Sequence, residues 1–151
     1  MAPTARIPAT GSTPDPVGEL RFKVEIPSLR IGMFTECSGL AVEFELMEYH
    51  EGGENGFSHK LRSRVRYPNL VLTRGVTHED ALLKWFFTVQ EAAQRPAVTV
   101  TLLAPDTKNV RSWAFAGGFP VRWTGPNLNA GSNHAAVETL EIAHHGLVPA
   151  A

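Results

Sequence analysis

The sequence predicts a mainly antiparallel β domain with one α-helix in its middle. Three observations carry that reading. Apolar residues recur at every second position along most of the chain, turn formers separate the runs, and one stretch alone switches to helical spacing. In the first run, Phe22, Val24 and Ile26 share one face and Lys23 and Glu25 the other, and Pro27 ends it. Val42, Phe44 and Leu46 stand opposite Glu43 and Glu45, and Val98, Val100 and Leu102 stand opposite Thr99 and Thr101. Phe119, Val121 and Trp123, then Leu140 and Ile142, continue the alternation. Pro105-Asp106 and Gly117-Gly118 supply turn chemistry between runs.

The helical stretch follows Thr77. Leu82, Phe86, Val89 and Ala93 fall on one stripe, with Trp85 flanking it. Thr77 is the expected N-cap, and Glu79 and Asp80 then lie in the first turn, where the helix dipole favours carboxylates. Arg95-Pro96 closes the helix, because the residue before a proline avoids helical angles. Residues 1–17, rich in Pro, Thr, Ser and Ala, offer little to bury and are expected to form a flexible arm. Residues 18–151 are then one folded domain, without internal repeat.

Composition narrows the function classes. The 151 residues are 43% hydrophobic and 19% charged, as in an ordinary globular protein. With 14 basic and 15 acidic side chains the formal net charge is -1, so no long-range field draws nucleic acid or membrane to the whole molecule. The single cysteine, Cys37, excludes an intramolecular disulfide and fits a reducing compartment. The first residues lack the apolar core of a signal peptide, and no apolar run approaches the ~18 residues of a membrane span. Synthesis in the cytoplasm, with no membrane insertion by the subunit, is the simplest reading.

No catalytic, metal or cofactor site is expected. The six histidines, His50, His59, His78, His134, His144 and His145, form no HExxH and have no acidic partner at ligand spacing. Nothing in the sequence marks a base or an orienting group for Cys37, which reads as a packed thiol. Gly52, Gly53 and Gly56 do not sit between an apolar strand and a helix, as phosphate binding at a helix N-terminus requires. They read as a loop tip. Gly125-Pro126 with Asn127, Asn129 and Asn133 reads as a long ordered connector built from side-chain-to-backbone hydrogen bonds.

The stretch from Glu48 to Leu70 is the unusual one. Lys60, Arg62, Arg64 and Arg66 point one way from a strand, and Leu61, Ser63, Val65 and Tyr67 the other. Four like charges on one strand face repel. Pairing with the preceding strand so that Glu45 faces Arg62 and Glu43 faces Arg64 relieves part of that, and brings Leu46 to Leu61 and Val42 to Val65. Lys60 and Arg66 remain, and another subunit can supply their partners.

Several stretches recur together in one known family. "FTECSGL" precedes "EYHEGGEN", then "HKLRSRVRYPNLVLTRGVT", then a helix with "LLKWF", then "VRSWAFAGGFPVRWTGPNLNAGSN" and "ETLEIAHHGL". In that order, over residues 22–147, the chain resembles the T4-like tail-tube proteins of contractile phages and contractile injection systems. The resemblance implies two packed antiparallel sheets forming a barrel-like sandwich with one α-helix, with strands extended into a ring-shared barrel around a lumen. It implies homo-hexameric rings stacked into a hollow tube inside a contractile sheath. Baseplate or tube-initiator and terminator proteins are implied at its ends, and DNA or an effector as cargo. It implies neither catalysis nor a cofactor. The subunit-interface residues it suggests are Glu43, Glu45, Tyr49, Glu51, Gly52, Gly53, Asn55, Lys60, Arg62, Arg64 and Arg66, with Glu48, Glu51 or Glu54 of an adjacent copy opposite the basic strand. The loop around Gly52 is the expected contact between rings. Where the family has an Ala-Trp-Pro-Val-like run, this chain has "AGGFPV", with Phe119 in the aromatic role.

A second reading is a monomeric β-barrel module holding a small ligand inside. The two differ in hydrodynamics: rings or tubes at micromolar concentration against a compact monomer.

Overall fold

A computed structural model describes residues 21–149 except Ser28, Arg30, Ile31, Gly32, Glu54, Asn55 and Thr107. The arm expected over residues 1–17 lies outside the described residues. Eleven strands and one helix follow in the order β1 (Arg21–Glu25), β2 (Met33–Phe34), β3 (Glu36–Ser38), β4 (Glu43–Tyr49), β5 (His59–Arg66), β6 (Leu70–Gly75), α1 (Ala81–Glu91), β7 (Val98–Leu103), β8 (Asn109–Phe115), β9 (Phe119–Thr124), β10 (Val137–Ala143) and β11 (Leu147–Val148). All pairings between strands are antiparallel. One sheet runs β11-β8-β7-β1-β2, a second runs β3-β6-β10-β9, and β4 and β5 form a third sheet by themselves.

The first two sheets enclose the core. Val24, Val98 and Val100 from one and Leu70, Leu72, Leu140 and Ile142 from the other are fully buried, with Phe115 among them. Val24, Val98, Val100, Leu140 and Ile142 are alternate positions the sequence marks, which is why one face of each of their strands is dry. Helix α1 packs against β9 and adds Leu82 and Trp85 to the core.

Several expectations are corrected. Trp85 is the centre of the helix stripe rather than its flank, Phe86 is only half-buried, and Ala93 lies beyond the helix end. The helix starts at Ala81 with Asp80 at the cap position, without a side-chain capping bond and with no acidic residue in its first turn. Thr77 Oγ1 instead accepts from the Glu79 amide at 3.4 Å. The Glu79 carbonyl accepts from the Thr77 hydroxyl at 3.3 Å and from the Arg74 guanidinium at 3.4 Å, so both bonds to that oxygen come from outside the helix. Val121 is exposed although Phe119 and Trp123 are not, because a β-bulge opposite Glu141 and Ile142 interrupts the alternation of β9. Thr101 is buried on the face expected to be open, where its hydroxyl shares a 3.0 Å hydrogen bond with that of Ser112.

The connector between β9 and β10 is built as expected around Asn129, whose Oδ1 accepts from the Gly131 amide at 3.0 Å. Cys37 is half-buried, and burial pushes its thiol up to about 11, which keeps it protonated.

Candidate assembly interface

The β4–β5 hairpin stands apart from both packed sheets, and every residue of its two strands except His59 is exposed. Two features hold its legs to the body. Gly39 has φ +91°, and a Cβ there would lie 2.1 Å from the Asn69 carbonyl oxygen, so only glycine lets the two legs approach. On the other leg, Tyr67 packs over Gly146, where an added Cβ would sit 3.0 Å from the ring.

His144 completes that second anchor. Its Nε2–H donates to the Pro68 carbonyl at 3.0 Å, and its Nδ1 accepts from the Gly146 amide at 3.2 Å. Its ring lies against Phe115, with centroids 4.6 Å apart, and against Tyr67 at 5.9 Å. Burial lowers its pKa below the ordinary histidine value, the Pro68 carbonyl opposes that, and His145 adds to the lowering. As pH falls, the unfolded chain therefore takes up this proton before the folded one does. Stability is unaffected well above about pH 6.5 and falls as pH drops through and below it. Urea unfolding at pH 7.5 and 5.5 is expected to show that loss, and the loss is expected to shrink in His144→Phe.

The hairpin register differs from the expected one. Glu43 faces Arg66 and Phe44 faces Val65, whereas Leu46 faces Arg62, Met47 faces Leu61, Glu48 faces Lys60 and Tyr49 faces His59. The bulge puts the extra residue in β5, where Ser63 and Arg64 together stand opposite Glu45, so β4 alternates without a break. One face thus carries Phe44, Leu46 and Val65 beside Glu48, Lys60 and Arg62. The other carries Met47, Tyr49 and Leu61 beside Glu43, His59 and Arg66, so apolar and charged side chains share both faces.

Within one chain the basic strand is better satisfied than expected. Glu45 pairs with Arg66 at 3.5 Å, Lys60 lies opposite Glu48, and the Arg62 guanidinium sits 5.5 Å from the centre of the Phe44 ring. Arg64 has no ion-pair partner among the described residues. These are exposed pairs that each contribute ~0–1 kcal/mol and set register rather than stability. At the tip, Gly52 and Gly53 form the turn with Gly53 at φ +103°, and Glu51 meets His59 at 3.3 Å. Asn55 and Glu54 lie outside the described residues. Ten of the eleven interface residues suggested by the sequence therefore share this one hairpin.

The exposed apolar side chains of the hairpin are what the sequence reading undervalued. Leu46, Met47, Tyr49 and Leu61 are each more than half exposed, at 61%, 56%, 55% and 53%. An isolated two-stranded hairpin is marginal in water, and large apolar side chains exposed on both of its faces mark an interaction surface. A self-assembling structural protein, with an arm that needs a neighbour, is the class this architecture defines.

Residues 18–148 match the family model described as T4-like virus tail tube protein gp19. The chain belongs to that family. Among curated protein sequences none matches it. Among solved structures, a chain of the six-fold symmetrised anti-feeding prophage (AFP) baseplate is similar, at 29% identity and a TM-score of 0.74 over 91% of this chain and 96% of that one. A chain of the AFP tube terminating cap matches at 26% identity and a TM-score of 0.74, covering 98% and 97%. A chain of the sheath-tube complex of the extracellular contractile injection system PVC, in the extended state, shares the fold at 24% identity and a TM-score of 0.78, covering 92% and 97%.

Proposed function

We propose that this chain is the structural subunit of the inner tube of a contractile tail or injection system, stacking as hexameric rings into a hollow conduit. The observation that carries the reading is the unpartnered β4–β5 hairpin in a member of the tail-tube family. Its exposed apolar side chains leave water only against another copy, and ring closure leaves no open sheet edge. The similarity to chains of a baseplate and of a tube terminating cap supports partners of those two kinds at the tube ends. A contractile sheath is the partner around it, and DNA or an effector the cargo. The role is mechanical rather than catalytic. The subunit is made in the cytoplasm and acts as part of a tail-like particle.

Within this reading Glu43, Glu45, Tyr49, Glu51, Gly52, Gly53, Asn55, Lys60, Arg62, Arg64 and Arg66 form the subunit interface, and the Gly52–Gly53 tip reaches the next ring. Negative-stain microscopy of the purified protein at micromolar concentration tests it. Rings or tubes are the expected result; a monodisperse monomer with ligand bound inside would establish the binding-module alternative instead.

A further inference from the structure

The turn after β10 carries two consecutive histidines, and each ring is hydrogen-bonded in its neutral form. His144 uses both nitrogens: Nε2–H donates to the Pro68 carbonyl at 3.0 Å, and Nδ1 accepts from the Gly146 amide at 3.2 Å. A second proton on His144 goes to Nδ1, where it points at the Gly146 N–H and breaks that bond. Beside it, His145 Nε2 lies 2.7 Å from Arg95 Nη1. A guanidinium only donates, so that bond exists only while Nε2 keeps its lone pair. Arg95 is itself held over the Phe119 ring, 4.8 Å from its centre.

This turn joins three parts of the molecule. Pro68 lies on the leg from β5 to β6, and Arg95 on the link from α1 to β7. The His145 amide donates to the Ala116 carbonyl at 2.7 Å, and the Ala116 amide to the Gly146 carbonyl at 2.9 Å, which ties in the turn after β8. Tyr67 of the hairpin leg and Phe115 of β8 pack against the His144 ring. Glu141 of β10 is taken by Asn69 at 2.8 Å and by Arg122 at 4.0 Å. Among the described residues no carboxylate bonds either imidazole. A proton taken up here meets a second histidine and a guanidinium rather than a counter-ion.

We propose that the His144–His145 turn is a proton-operated latch on the β4–β5 hairpin. Its neutral rings pin the Pro68 leg to the body, and protonation frees that leg, so tube assembly proceeds at neutral pH and loosens in acid. Gly39 against the Asn69 carbonyl keeps the two legs together without a titratable group, so the hairpin swings as a unit. Burial lowers the His144 pKa, so the hold is complete well above about pH 6.5 and is lost as pH falls below it. The hairpin's own histidine has the opposite sign, because a proton on His59 strengthens its 3.3 Å pair with Glu51. The inference rests on the tube reading and adds a regulation to it.

Sedimentation velocity and amide hydrogen exchange of the full chain at pH 7.5 and 5.5 test it, with exchange corrected for the chemical rate. The concentration the parent needs for rings is expected to rise roughly fivefold or more at the lower pH. His144→Gln keeps a donor for the Pro68 carbonyl but cannot titrate, and is expected to remove most of that rise. His59→Gln is expected to leave it in place. In dilute parent subunit, peptides over residues 66–69 and 144–147 are expected to gain exchange at pH 5.5 while β7 stays protected. An unchanged ring concentration in the parent overturns the latch, and so does a rise that persists in His144→Gln. Exchange that stays flat over residues 66–69 overturns it too, as does a gain shared equally by β7, which means global unfolding. The exchange result decides the latch even where His144→Gln fails to fold. Absence of rings in the parent at pH 7.5 overturns the tube reading instead, and exchange in the subunit still decides whether the turn holds the leg.

Discussion

Replacing Leu61 and Val65 together with glutamate is expected to abolish rings and tubes while leaving the subunit folded. The two side chains are 53% and 41% exposed in the single chain, so the fold loses little packing when they change. Such surface substitutions usually stay within ~0.5 kcal/mol each. On the tube reading the same positions lie beneath a neighbour in the ring. Full burial of a Leu or Val side chain contributes about 1.5–3 kcal/mol, so each junction loses about 3–6 kcal/mol, or roughly a factor of 10² to 10⁴ in association. Each buried carboxylate without a partner adds a further desolvation penalty. The junction recurs at every subunit of a closed ring, so the losses multiply. Thermal unfolding of dilute subunit and sedimentation velocity at a concentration where the parent assembles separate the two effects. Tubes retained by the variant would remove both side chains from the interface. A large drop in melting temperature would place these side chains in the fold of the single chain.

The parts of this molecule that were legible in the sequence are those where one strand face meets the core. Val24, Val98, Leu140 and Ile142 sit at alternate positions and are fully buried, so period two and burial coincide. Strands β2 and β3, with two and three residues, are too short to show a period, and β8 interleaves Arg111 and Ser112 with its apolar residues. The helix start was hidden because the Glu79 carbonyl is held by Arg74, on the preceding strand, as well as by Thr77, and no local signal reports the Arg74 contact. The hairpin register failed on one inserted residue. Charge complementarity holds equally with Glu45 beside Arg62 or beside Arg66, and only the bulge decides between them. The candidate interface was found through its basic residues, but exposure is a tertiary property. Leu61 and Val65 read from sequence as an ordinary inward face, and only the separation of β4 and β5 from both packed sheets shows that nothing in the same chain covers them.

Breaking the buried Arg74–Glu138 pair is expected to destabilise the subunit more than any change on the hairpin. The two residues are 4% and 8% exposed and face each other across β6 and β10, with Arg74 Nε donating to Glu138 Oε1 at 2.5 Å. The other carboxylate oxygen accepts from the Trp123 indole N–H at 3.1 Å, and the guanidinium lies 5.7 Å from the centre of the Phe34 ring. Removing one partner strands the other charge in a site closed to water, which costs about 3–5 kcal/mol. Arg74→Met and Glu138→Leu should each show that loss in urea unfolding. Combining them should recover much of it, because both desolvation penalties disappear together. Recovery stays incomplete, since the Trp123 indole loses its partner, at about 1–3 kcal/mol where it stays buried. The stability order is therefore parent, then double variant, then either single variant. Additive losses would mean that the two charges are solvated independently.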